Sequence, residues 1–270
     1  GPPNVPIAAP AASILDADAL VNGANDGSAD IVAAGLRMVA GTGIGGAVNH
    51  LDTTVGTLTA RATAGGIYLK ETDGVAVGDV GVTVQRVGSD AGVTTTVDAI
   101  QSDIRTTAGN GSVVLASATG DIVLNDGTAA ADDIAVSANG SGNILVLTLA
   151  GNVLANADLV SGTGYITVQG ANSVAFAGTA DIRTLGTSDL QAATGGIAQS
   201  TSSLFTSGTG DIRLLAAANV TVGRIATGGN VSITATSGSI LDADAIVGGV
   251  NHTAVNITAS GLRLNAGTGI

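Results

Sequence analysis

A 32-residue segment near the start of the chain returns at its end. Residues 13–44 read SILDADALVNGANDGSADIVAAGLRMVAGTGI and residues 239–270 read SILDADAIVGGVNHTAVNITASGLRLNAGTGI, an ungapped match with 20 of 32 positions identical at an offset of 226. A fixed period is the sequence signature of architectures made by stacking one unit on the next. The chain is therefore expected to be a single body over 12–270, holding one 226-residue repeat (13–238) and the opening of the next (239–270). Its four prolines, Pro2, Pro3, Pro6 and Pro10, all precede residue 11. Proline removes a ladder donor and is rare in central strands. Residues 1–11 thus read as an extended linker or expression remnant, and the remainder as continuous hydrogen-bonded sheet.

Short apolar runs of period two recur between Gly, Asn, Asp, Ser and Thr clusters, the signal for strands and turns. Ile122, Ile144 and Ile166 each open such a run after a glycine corner, at spacings of 22, and Ile212 and Val231 open two more, 19 apart. Units of this size, 19–24 residues with two or three strands, match single coils of a stacked sheet whose apolar face is buried only by the next coil. The fold expected is all-β: a right-handed parallel β-helix (β-solenoid) of about ten or more such coils. Ile122, Ile144 and Ile166 are expected to lie one above another. The expected core is Ile122, Leu124, Ile144, Val146, Ile166, Val168, Ile212, Leu214, Val231 and Ile233. Forty-one glycines argue against helices, and two Phe, two Tyr and no Trp suit a narrow aliphatic core.

A formal charge of −12 disfavours nucleic acid and anionic membranes as partners. No cysteine is present, which excludes a disulfide scaffold and thiolate metal sites. The most hydrophobic run, 144–155, is too short and too broken by Thr148, Gly151 and Asn152 to span a bilayer, so no membrane insertion is expected.

Three stretches, 210–245 (GDIRLLAAANVTVGRIATGGNVSITATSGSILDADA), 116–127 (ASATGDIVLNDG) and 41–71 (GTGIGGAVNHLDTTVGTLTARATAGGIYLKE), resemble the stalk repeats of large bacterial filamentous-haemagglutinin-like adhesins. The resemblance covers residues 13–270. It implies a structural stalk or spacer at the bacterial cell surface, outside the cell, with adjacent repeats of the same polypeptide as its partners and the isolated fragment monomeric. The alternative it leaves open is an adhesive β-helix wall that binds glycans, surfaces or neighbouring rods directly. Secretion modules, a membrane barrel and the calcium-binding nonapeptide run are not present in this stretch.

Few residues carry chemistry. Catalysis is not expected: one Glu (Glu71), one Lys (Lys70) and almost no aromatics give no sugar-cleaving pair, and neither a nucleophile elbow nor a P-loop is present. His50 and His252 read as solvated turn residues. No cofactor or metal site is expected, and the acidic pairs read first as a solvated face, with calcium the one ion they admit. Asp16 with Asp18 and Asp242 with Asp244 form Asp-x-Asp pairs, which in an extended strand would put both carboxylates on the outer face. Asp132 and Asp133 are a third acidic pair. Tyr68 and Tyr165 are the only large amphipathic candidates for surface contact, and are expected four to five coils apart.

Overall fold

The computed structural model describes residues 2–18, 20–244 and 254–270. Among them, the chain forms one 25-stranded parallel sheet and one separate two-stranded antiparallel hairpin. No described helix is long and apolar enough to cross a membrane.

Most of the sheet is three parallel ladders. The first runs through Ile67–Glu71, Val113–Ser117, Ile144–Thr148, Ile166–Gly170, Ser188–Ala192, Ile212–Ala216, Asn230–Ala235 and Gly261–Ala266. The second runs through Val75–Val77, Ile122–Leu124, Val153–Ala155, Val174–Phe176, Ile197–Gln199, Val220–Val222 and Ile240–Asp242. The third runs through Ile104–Thr106, Ile134–Ala138, Asp158–Ser161, Ile182–Thr184, Leu204–Ser207, Arg224–Thr227 and Ile257–Thr258. From Ile104–Thr106 to Asn230–Ala235 each strand therefore pairs with the third strand after it, whereas Ile67–Glu71 and Val75–Val77 pair across the hairpin with the fifth strand after them. The long strand Leu51–Ala62 joins the ladders, because successive parts of it pair with Ile67–Glu71, Val75–Val77 and Ile104–Thr106. Ile31–Ala40 lies on its other side.

Sixteen strands of this sheet turn through 322° round one axis, so the wall is a nearly closed parallel β-barrel. This corrects the expected right-handed parallel β-helix (β-solenoid) of about ten or more coils. The inward residues of all three ladders share one core, and the wall closes round it. The 19–24 residue spacing holds from Ile144 to Val231 but fails before it, where Ile67 and Val113 are joined through the hairpin.

All ten expected core residues are buried. In the first ladder Ile166 points inward while Thr167 is half-exposed. The stacking differs from expectation. Ile144 does lie against Ile166, but Ile122 belongs to the second ladder, between Val75 and Val153. The two phenylalanines also lie inside, with Phe176 from the second ladder and Phe205 from the third edge-on at 4.7 Å.

The corners follow two rules. Asn and Asp side chains cap the backbone of the next circuit: Asn143 Oδ1 accepts from Tyr165 N at 2.8 Å, Asn152 Oδ1 from Ser173 N at 3.1 Å, and Asp211 Oδ1 from Asn230 N at 2.7 Å. Where the third ladder turns into the first, a hydroxyl donates to a glycine carbonyl. Thr106 donates to Gly111, Ser161 to Gly142, Thr184 to Gly164 and Thr227 to Gly210, all at 2.6–2.7 Å. The glycines at this corner stack on one another. A Cβ at Gly142, Gly164, Gly186 or Gly210 would stand closer than 3.0 Å to the carbonyl of the glycine beneath. Gly142 and Gly164 are thus needed for close approach, whereas Gly120 (φ 81) also takes a left-handed backbone.

The corner between the second and third ladders is the variable one. It is Gly223 alone between Val222 and Arg224, and it widens to 125–133 and to 78–103. The last of these holds the hairpin Val80–Val87 and Val93–Gln101, the only antiparallel pair among the described strands. At the N-terminus, where a linker was expected, Val5–Ala9 pairs with Ile31–Ala40. Pro6 is tolerated there because this strand is an edge.

The two copies of the repeat keep their local bonds but occupy different columns. Ser13 meets Thr42 at 2.6 Å as Ser239 meets Thr268 at 2.8 Å, and Ile14 N donates to Gly43 O as Ile240 N does to Gly269 O. Yet Ile14 stacks through Ile44 onto Ile67 of the first ladder, while Ile240 sits on Val220 of the second. Leu36 lies on Leu58, whose other partner is Val77 of the second ladder, while Leu262 sits on Val231 of the first. A unit that stacks end to end must return to its own column, and this one does not.

Candidate metal centres

Two groups of three aspartates gather carboxylate oxygens within 4.8 Å of one another. Either set of oxygens could chelate a metal ion.

The first group is Asp16, Asp30 and Asp52. Asp52 lies near the start of Leu51–Ala62 and is almost fully buried. Its carboxylate accepts from the Asn25 amide and lies 3.4 Å from Lys70 Nζ, and its own N–H donates to Asp30 Oδ2 at 3.0 Å. Burial holds the Asp30 carboxyl above its ordinary range, with repulsion from Asp16, Asp18 and Asp52 adding to it and the Asp52 N–H opposing it.

Of the sequence candidates, Asp16 enters this group and Asp18 does not. The expected extended Asp-x-Asp pair is not formed: Asp18 N folds back onto Asp16 Oδ1 at 2.7 Å, a local Asx turn. The second copy makes the same turn, Asp244 N to Asp242 Oδ1 at 2.8 Å. Its position equivalent to Asp30 is Asn256, whose amide donates to Asp242 at 2.9 Å. An acid in the first copy is thus an amide in the second, and Asp242 and Asp244 fall in no three-acid group among the described residues.

The second group is Asp103, Asp126 and Asp132. Asp103 follows the hairpin with φ 66 and is completely buried. Asp126 and Asp132 come from the corner 125–133, where Ala131 and Asp133 also have positive φ. Arg105 lies 3.3 Å from Asp103 Oδ2 and donates to Asp132 Oδ1 at 2.6 Å. Asp103 Oδ2 also accepts from Ser102 Oγ at 2.9 Å, and Asp126 Oδ2 accepts from Asp133 N at 3.0 Å. The Oδ1 atoms of Asp103 and Asp126 are buried without a hydrogen-bond partner. Burial raises the Asp103 carboxyl, and the Asp126 charge raises it further, against Ser102, Arg105 and the nearby Gly127 amide. Sequence reasoning placed Asp132 in a pair with Asp133, but Asp133 faces elsewhere, accepting from Thr179 Oγ1 at 2.8 Å.

The remaining candidates are repositioned too. Tyr68 and Tyr165 line one shallow depression floored by Val114 and Leu145. Three ladder steps separate their strands, about 14 Å at the usual strand spacing, rather than four to five coils. His50 is not a solvated turn residue: it is half-buried and stacks on Tyr68 at 6.1 Å, and burial lowers its pKa. His252 lies outside the described residues.

No family model, no curated protein and no solved structure matches the chain. The resemblance to filamentous-haemagglutinin-like stalks is corrected on the geometry. A nearly closed barrel does not fit an extended stalk or an adhesive β-helix wall, and with them go the adjacent repeats and surface glycans expected as partners.

Proposed function

We propose that this chain is a calcium-binding domain that works outside the cell, in which the ion has a structural and not a catalytic task. One observation carries the reading: Asp16, Asp30 and Asp52, from three separate stretches, bring carboxylate oxygens within 4.8 Å of one another. An ion there would fasten the excursion between Ile14 and Ile31 to the wall at Asp52. The donors are hard oxygens in an irregular arrangement, which suits calcium better than the strict octahedron of magnesium. Three carboxylates against the single Lys70 ammonium leave a formal charge that one divalent ion neutralises. Six to eight oxygens are needed, so backbone carbonyls and water complete the shell. Extracellular modules bind calcium in about the 10⁻⁴–10⁻³ M range, which is enough where the ion is abundant.

Binding only to the folded state raises stability by mass action. Millimolar calcium is expected to raise the melting temperature over chelator by several degrees, and Asp30→Asn with Asp52→Asn to remove most of that gain. A melting temperature indifferent to calcium and chelator would end this reading.

A further inference from the structure

We infer that Asp103, Asp126 and Asp132 form a second divalent-cation site, in which Arg105 is a built-in competitor for the ion. Acidic residues alone would not support this, since exposed carboxylates gather on many surfaces. The deciding feature is that Asp103 is fully buried and its Oδ1 has no hydrogen-bond partner, and that Asp126 Oδ1 is buried and unpartnered as well. Buried polar atoms are nearly always satisfied, and a bound ion is one of the few explanations for two bare carboxylate oxygens in one cluster. Arg105 does not supply the missing contact. It approaches Asp103 through Oδ2 and donates to the Asp132 carboxylate, and makes no hydrogen bond to Asp103 Oδ1 or Asp126 Oδ1. Three carboxylates and one guanidinium leave two formal negative charges for a divalent ion to meet. The ligand class is a hard cation, calcium before magnesium, because one buried, one half-buried and one exposed carboxylate from two loops make an adaptable shell. This site stands on its own oxygens and does not depend on the first.

The test is calcium titration of the whole chain by calorimetry, with terbium luminescence as a second readout. The Asp30→Asn, Asp52→Asn protein serves as background, so that the two sites are scored separately. In that background one saturable calcium site is expected. Asp126→Asn with Asp132→Asn should weaken it at least tenfold with the circular dichroism spectrum unchanged. Arg105→Gln should tighten it about tenfold, because a competing cation is gone. If the acidic double variant fails to fold, Arg105→Gln still decides. The inference is overturned if the background protein gives no heat and no luminescence, if its binding survives the Asp126 and Asp132 changes, or if Arg105→Gln leaves affinity unchanged. Loss of a site on Asp30→Asn and Asp52→Asn alone speaks only to the first group.

Discussion

Glu71 is the residue at which this wall departs most from its own pattern. The first-ladder positions in line with it are Ser117, Thr148, Gly170, Ala192, Ala216 and Ala235, all small. Glu71 is fully buried there, accepting from Thr53 Oγ1 at 2.6 Å and Val55 N at 2.7 Å. Burial outweighs those two bonds and pushes its pKa up to about 7. Asp158, also buried and raised chiefly by burial, sits at about 6 despite its Arg183 partner. The folded state therefore holds protons that the unfolded chain releases near pH 4 to 4.5, and stability falls as pH rises from there through about 7. Glu71→Gln keeps an acceptor for Val55 N and an amide to donate to Thr53 Oγ1. Denaturant melts at pH 5 and pH 8 should show the native protein losing stability across that span, and the variant losing less. None of this was legible in the sequence, where the single Glu looked only like a shortage of catalytic carboxylates.

At the scale of strands and corners, legibility tracked strand length. First-ladder strands have five or six residues and show two or three inward positions, so the alternation in Ile144–Thr148 or Ile212–Ala216 could be read directly. Second-ladder strands have only three residues, and Ile122–Leu124 has the same local pattern as a first-ladder strand, hence its misplacement. The hairpin was missed although its signal was present: two runs rich in Val and Thr flank Gly88-Ser89-Asp90-Ala91-Gly92, a five-residue connection of the hairpin type. The glycine column was read as turn chemistry because a sequence does not show what lies beneath a corner. It carries a prediction. Gly164→Ala forces a methyl into the Gly142 carbonyl without any left-handed backbone to blame. The expected loss is about 2 kcal/mol by chemical denaturation, whereas Gly178→Ala, where a Cβ meets nothing within 4 Å, bears only the cost of its positive φ, about 1 kcal/mol.

For the whole molecule, the repeat was visible at once and misleading. Sequence identity said that residues 13–44 and 239–270 were the same piece; the register says that they are the same piece in different columns. Which column a strand joins depends on how many residues the intervening corners consume, and that sum is invisible locally. The acid groups were hidden for a related reason, since Asp16 meets Asp52, and Asp103 meets Asp126, only after the chain has turned round the wall. Closure still leaves terminal strands with one neighbour each: among the described residues, Val5–Ala9 pairs only with Ile31–Ala40, and Gly261–Ala266 only with Asn230–Ala235. Hydrogen exchange should find these amides least protected and those of Ile144–Thr148 and Ile166–Gly170, flanked on both sides, most protected. Uniform protection from end to end would contradict this.

The corner between the second and third ladders has a use beyond the natural chain. It accommodates anything from Gly223 to the whole of 78–103 while the strands on either side keep their pairing. Loop-closure cost grows only slowly with length. The corner 177–181, where a Cβ on Gly178 would meet nothing within 4 Å, is therefore a splice point for a foreign peptide: an epitope inserted there would be displayed on a rigid frame whose hydrogen-bond register is set elsewhere.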